Sequence, residues 1–487
     1  MLAARVVAGQ DVAVLPGSRL TTQAATVQYV TGKSPLFVLQ AEGVGITGTQ
    51  SLDISLACTA PTQLRLYLIP REGTARFRYV VLAGERLATR LKLPLEAFDP
   101  DPQVERGQVP PDGALLMIDV PGFMRKLLSN KLRFGPCRVT TEPAGLPEEQ
   151  TVPPEPAGVE YDRILGGWLG KTAGSRLGAA NEGRLEPAWE QLPELQRGLS
   201  ANSWGFGPDD DTTLMVSNLL LLRAKGPGFK PRDVIERWTT GVSREYLWKT
   251  ERRTLEEYSK GVPALECGRG PLGDSICARI RADVWGLVSP GDTFRALGFA
   301  VRDAPCSNSG LGLLSGRFAA AAASVAFEAK SPRDLLVRAL DAVGDPASEH
   351  SRVLRRCLDR QAAGVPLRAA YESLRKEVFE PLHARDATNA WAYALPNDAL
   401  VALALLYGEG DFAKTVALAA ALGWDTDCNA ATAGCWMGVL LGAGRIPPAF
   451  TGPLHDRLRV AIPGQEHWSL RRLAWLTWRT AQDLRGR

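Results

Sequence analysis

Four glycines, Gly166, Gly170, Gly174 and Gly178, recur at four-residue spacing in the segment that opens at Tyr161. On a helix this spacing lines them along one side, where the missing side chains let another backbone approach closely. The segment is therefore read as a helix that packs against a second helix. In lipid the same pattern would suggest dimerisation, but Asp162, Arg163, Lys171 and Arg176 argue against a membrane.

Composition sets the surroundings of that helix. The chain has 487 residues, 45% hydrophobic and 23% charged, which fits an ordinary globular protein and excludes a disordered tail, a collagen or a coiled-coil rod. Lys and Arg number 57 against 53 Asp and Glu, a net charge of +4 without any basic block, so neither a nucleic-acid nor a membrane partner is expected. The most apolar windows, 318–327 and 401–407, fall short of the ~20 residues that span a bilayer. The first residues lack a charged region followed by a long apolar run, so no signal peptide is read. The eight cysteines contain no C-x-x-C pair, which points to reduced, mostly buried thiols in a cytoplasmic protein and not to a zinc cage. With only four histidines, carboxylates are the first place to look for chemistry.

The character of the chain changes near residue 150. Before it, Leu52, Ile54, Leu56 and Cys58 alternate with Asp53, Ser55 and Ala57, and Leu64, Leu66 and Leu68 alternate with Arg65 and Tyr67. Period-two patterning buries one face of a strand and leaves the other to water. Further strand candidates lie at 35–40, 77–82, 91–95 and 115–120. Many short strands separated by Gly/Pro turns predict an all-β sandwich or jelly roll over residues 1–141. Residues 142–160 are rich in proline, which fixes φ and removes amide donors, and read as a semi-rigid linker. From 161 to 487 the pattern is all-α, with Ala- and Leu-rich helices predicted at 317–329, 332–343, 399–407, 412–422 and 430–441. Ser331 and Asp411 are placed as N-caps.

Two acidic runs stand at helix mouths. Asp209, Asp210 and Asp211 precede the apolar run 214–222, and Asp425-Thr426-Asp427 precedes the helix at 430–441. One acid suffices to cap a helix, worth about 0.3–1 kcal/mol. Three adjacent aspartates repel one another unless a cation neutralises them. A hard cation such as Mg²⁺ or Ca²⁺ takes oxygen ligands of this kind. Each run taken alone reads equally as a solvated loop with an N-cap, and neither matches an EF-hand loop. Glu182, at the end of the glycine-spaced segment, reads alone as a surface acid.

Together these segments resemble the ADP-ribosylglycohydrolase family, a bacterial branch of it, over residues 160–480. The glycine-spaced helix ending in Glu182 resembles the first family motif, Gly207-Pro208-Asp209-Asp210-Asp211-Thr212 the second, and the run from Trp424 to Gly434 the C-terminal one. Residues 273–286 and 395–400 also look familial. The resemblance implies an all-α domain with two Mg²⁺ ions in a cleft, Ca²⁺ or Mn²⁺ being alternatives. It makes Asp209, Asp210, Asp211, Asp425 and Asp427 the metal ligands, with Asp209 standing where a Thr ligand is frequent. Cys428 stands where the best-known members carry a Thr ligand; a neutral thiol suits a hard ion poorly, so Cys428 is left outside the ligand set. Asn308 occupies a position where the family commonly has a His after a Ser or Thr, and it cannot titrate near neutral pH. Ser307, Asn308 and Asn429 are assigned to substrate binding, although Ser307 and Asn308 also read as a helix-capping pair.

The implied reaction is hydrolysis at the anomeric carbon of a ribofuranosyl group through an oxocarbenium-like state, with Glu182 as acid/base. The implied substrate is ADP-ribosyl or another furanoside. The N-terminal strands weakly resemble galactose-binding-like jelly rolls, which would favour a carbohydrate. Three functions therefore stand: an ADP-ribosyl hydrolase, a furanosidase acting on another glycan, and a catalytically silent ADP-ribose- or sugar-binding protein. The sequence leaves the leaving group and the oligomeric state open.

Overall fold

The computed structural model describes residues 154–200 and 208–486 and, in the N-terminal part, the backbone of nine strands between residues 13 and 140. Most of the expected linker (142–153), Gly207, and the side chains of the β region, Cys58 and Cys137 among them, lie outside the described residues. The chain divides into two compact units, Met1–Thr151 with Ala461–His467, and Val152–Val460 with Trp468–Arg487.

In the first unit the strands are β1 (Ala13–Val14), β2 (Thr26–Val30), β3 (Ser34–Gln40), β4 (Ser51–Cys58), β5 (Thr62–Ile69), β6 (Phe77–Gly84), β7 (Leu87–Pro94), β8 (Leu115–Asp119) and β9 (Leu132–Thr140). They form a four-stranded sheet in the order β1-β9-β4-β7 and a five-stranded sheet in the order β2-β3-β8-β5-β6. Pairing is antiparallel except for β1 on β9. The alternating segments at 52–58 and 64–68 fall inside β4 and β5. The sequence reading did not mark β1, β2 or β9.

The second unit is mostly helical. Its centre is the helix Thr426–Leu441, buried along its length from Thr426 to Leu440. A helix apolar or small on every side belongs inside a protein, not on its surface. The opening helix Val159–Gly178, the helices Ala394–Tyr407 and Phe412–Ala421, and the helical pair Cys277–Leu287 and Gly310–Val325 enclose it. Among the described residues no helix is long and apolar enough to cross a membrane. The six described cysteines are free and buried.

Glycine spacing dictates the central contact. A Cβ on Gly166 would lie 2.1 Å from the Gly438 carbonyl oxygen, one on Gly170 2.0 Å from that of Gly434, one on Gly174 2.0 Å from that of Ala430, and one on Gly178 2.2 Å from that of Thr426. Partners descend along one helix as glycines ascend along the other, so the two helices run antiparallel. The second helix answers with its own small residues, since a Cβ on Gly434 or Gly438 would in turn strike Gly170 or Gly166. Glycine inside a helix costs up to about 1 kcal/mol relative to alanine. Here the cost is offset by backbone-to-backbone packing that any side chain would prevent.

Candidate active site

An antiparallel pair brings the end of one helix to the start of the other. The opening helix therefore delivers Glu182 to the mouth of the helix that begins at Thr426. Gly183 N donates to Trp424 O at 2.8 Å, Trp424 N to Arg184 O at 2.5 Å, and Thr426 Oγ1 to Gly178 O at 2.8 Å. Trp424 has φ 68°, in the left-handed region that costs a non-glycine residue about 1–3 kcal/mol. Its buried ring, 5.1 Å from Phe379, and the two backbone bonds hold it there. The turn places Asp425 and Asp427 inside the unit, both buried. Asp425 N donates to Asn397 Oδ1 at 3.1 Å, and the Asn397 amide donates to the carbonyls of Trp391 and Tyr393.

The first acidic run opens the helix Asp210–Lys225. Asp209 is its N-cap: Oδ1 accepts from Thr212 N and Thr212 Oγ1, both at 2.7 Å, and Oδ2 accepts from Ser175 Oγ at 3.0 Å. Asp210 is half-buried and Asp211 is buried. Asp211 Oδ2 accepts the Cys428 thiol at 3.0 Å, which ties the first run to the second. Asp211 Oδ1 lies 3.0 Å from Lys171 Nζ.

The acids perturb one another strongly. Burial pushes Asp210 well above the usual carboxylate range, and Asp211, Glu251, Asp209 and Asp425 push it further. Burial does the same to Asp427, followed by repulsion from Asp425, Asp211 and Glu182. Asp425 is raised by burial, with contacts to Asp427 and Cys428 pulling back. Glu182 is exposed at the rim, yet desolvation and then Asp425 and Asp211 push it up to about 7. The Cys428 thiol is raised by burial and by Asp211, so it stays protonated and acts as a donor.

Asp211 Oδ1, Asp425 Oδ1 and Asp427 Oδ1 are buried and accept no hydrogen bond from any described group. Ligand atoms of Asp211, Asp427 and Cys428 lie within 4.8 Å of one another. Crowded carboxylates with oxygens that accept no hydrogen bond fit a hard divalent cation, which takes such oxygens and relieves their repulsion.

The three polar residues assigned to substrate binding are buried in the framework. Ser307 Oγ accepts from Arg281 at 2.8 Å and donates to Asn308 Oδ1 at 2.6 Å. Asn308 donates to the carbonyls of Gly273 and Ser275 at 3.1 and 2.7 Å, pinning the loop before the helix Cys277–Leu287. Neither caps the next helix; Ser309 occupies the N-cap position. Asn429 accepts from Arg279 at 2.8 Å and donates to Asn397 Oδ1 at 2.7 Å. Arg279 also pairs with Asp398, which meets His350 Nε2 at 2.8 Å. This network steadies the Asp425 turn from behind.

Sequence reasoning assigned no role to Asn397, Arg279 or Lys171, although the first two lie in the segments 395–400 and 273–286 marked as familial. Lys171 carried a usable signal: a charge between Gly170 and Gly174 lies on a helix that must be buried nearly all round, so it requires a buried acid as partner.

The unit is mostly helical, and it gathers carboxylates at two helix mouths. The model of the ADP-ribosylglycohydrolase family matches residues 156–480, and the chain belongs to that family. Its members depend on a metal, and the acidic cluster is a possible site for one. A solved structure described as an ADP-ribosylglycohydrolase-related protein complex is similar at 22% identity, covering 66% of this chain and 99% of that one, with a TM-score of 0.46. No curated protein matches the chain.

Proposed function

We propose that the helical unit is a divalent-cation-dependent hydrolase of the anomeric bond of a ribofuranosyl group, with an ADP-ribosyl conjugate as substrate. The family supports a glycosyl-hydrolase-like activity. The observation that carries the cation dependence is the set of buried oxygens on Asp425 and Asp427 that accept no hydrogen bond from a described group, next to Asp211 Oδ1, which meets only the Lys171 ion pair among the described residues. Asp210, Asp211, Asp425 and Asp427 hold the cation site, and their four formal negative charges would be balanced by two Mg²⁺ ions. Asp209 can join only by giving up its cap. Such cations supply Lewis-acid polarisation and orientation of sugar hydroxyls.

The chain's own residues do the rest. Glu182, at the rim and holding a proton close to neutrality, is placed to exchange it with the leaving group or a water. The aspartates below it favour the positive charge that develops on the sugar as the bond breaks. Asn397, Asn429 and Arg279 keep the Asp425 turn from relaxing when the site fills.

The test is a substrate panel. ADP-ribosyl conjugates and aryl furanosides are offered with Mg²⁺, Mn²⁺, Ca²⁺ or excess chelator. Release of ADP-ribose that stops with chelator is the expected result. Preference for a furanoside lacking ADP would move the assignment to a glycan furanosidase. Tight ADP-ribose binding without turnover of any substrate would leave a silent binding protein.

A further inference from the structure

Lys171 is fully buried, and a buried ammonium is costly unless each of its donors finds an acceptor. Nζ donates to Ile280 O at 2.8 Å and Asp283 Oδ2 at 2.9 Å, and pairs with Asp211 Oδ1 at 3.0 Å. Asp283 is anchored from its other side, where Trp436 Nε1 donates to Oδ1 at 2.8 Å. Burial works against the charge of Lys171, but Asp283 and Asp211 outweigh it and raise its pKa.

Asp283 alone would neutralise Lys171. The third contact therefore demands its own account, and it falls on a carboxylate of the acid cluster. The contact is an ion pair that does not meet hydrogen-bond geometry, and a carboxylate oxygen has more than one lone pair, so Asp211 Oδ1 can face Lys171 and a cation together. The thiol of Cys428 fixes the other oxygen. Asp211 is thus gripped at both oxygens by groups that are themselves immobile.

We propose that Lys171, fixed by Asp283, is a positioning residue that sets the orientation of Asp211 toward the bound divalent cation. The inference rests on the proposed cation site. Two effects of removing Lys171 oppose each other. Loss of a nearby positive charge would strengthen cation binding, whereas loss of orientation would weaken it. Removing a group that orients a metal ligand typically lowers metal affinity about 10–100-fold, and orientation is predicted to dominate.

The experiment is calorimetric titration of Mg²⁺ and Mn²⁺ into the full chain. Wild-type protein is compared with the pair variant Lys171→Met/Asp283→Asn, which removes the charges of Lys171 and Asp283 together and keeps an acceptor for Trp436. Circular dichroism and melting confirm the fold of each. The expected result is a Kd about 10–100-fold weaker in the pair variant, with little further loss when Asp211→Asn is added. An unchanged or tighter Kd, with only a lower Tm, would overturn the proposal and leave Lys171 a core ion pair. If the pair variant does not fold, the single variant Asp283→Asn serves: it frees Lys171 to bind Asp211 undivided and should weaken cation binding at least threefold, and an unchanged Kd overturns the proposal equally. Wild-type protein that takes up no divalent cation would instead remove the proposed function, and the positioning role with it.

Discussion

Glu182 differs from the aspartates in being solvent-exposed at the rim while still held up near pH 7 by its neighbours. Among the described residues it has no hydrogen-bonded side-chain partner, so changing it should touch chemistry more than folding. Glu182→Gln is expected to lower turnover by about 10²–10⁴-fold, the usual worth of a positioned acid or base, with Tm and cation affinity kept. A variant retaining full turnover would transfer the role elsewhere. Cys428 makes a different prediction. Its thiol serves as a donor to Asp211, so Cys428→Ser should keep cation affinity within about threefold, because a hydroxyl donates equally and suits a hard ion better. A loss of binding in calorimetry would make the sulfur itself a ligand. At this scale the acids were legible because they come in runs. Asn397, Asn429 and Arg279 act through contacts 28 to 150 residues apart in sequence, and no spacing encodes those.

Among the helices, the glycine stripe was legible in kind, but its partner was not. Four glycines announce a close approach; that they meet Thr426, Ala430, Gly434 and Gly438 depends on the antiparallel packing. Gly170→Ala should destabilise the protein by about 3 kcal/mol or more, because its Cβ would fall 2.0 Å from a carbonyl oxygen, far more than the ~1 kcal/mol gained in helix propensity. Gly298, in the helix Thr293–Asp303, has nothing within 4 Å of its Cβ position. Gly298→Ala should therefore stabilise by up to about 1 kcal/mol. Paired denaturant titrations check both, and equal effects would contradict the packing. Predicted helix ends erred where glycine hid the period. The helix read from Arg317 begins at Gly310, since Gly312 and Gly316 have no side chain because Gly273 O and Ala278 lie where a Cβ would go. In contrast, Pro332–Val343 starts where its proline and the Ser331 cap direct it.

For the whole molecule, the acid cluster sets stability against function. Glu182, Asp210, Asp425 and Asp427 have pKa values raised above their unfolded ones, so the cation-free folded state binds more protons than the unfolded state. Their contribution to stability is therefore lost as pH rises from about 4, through about 7 for Glu182 and through a range above the ordinary carboxylate one for Asp210, Asp425 and Asp427. A divalent cation reverses this by favouring the charged forms, and it stabilises only the folded state.

Thermal melting of the full chain at pH 5 and pH 8, with chelator or with Mg²⁺, tests the central claim that the two acidic helix mouths form one cation site. A Tm increase on adding Mg²⁺ is predicted, larger at pH 8 than at pH 5. Asp425→Asn/Asp427→Asn should abolish the increase and, at pH 8, melt above the chelated wild-type protein because its repulsion is gone. No shift with Mg²⁺, or the same shift in wild type and variant, would contradict the account.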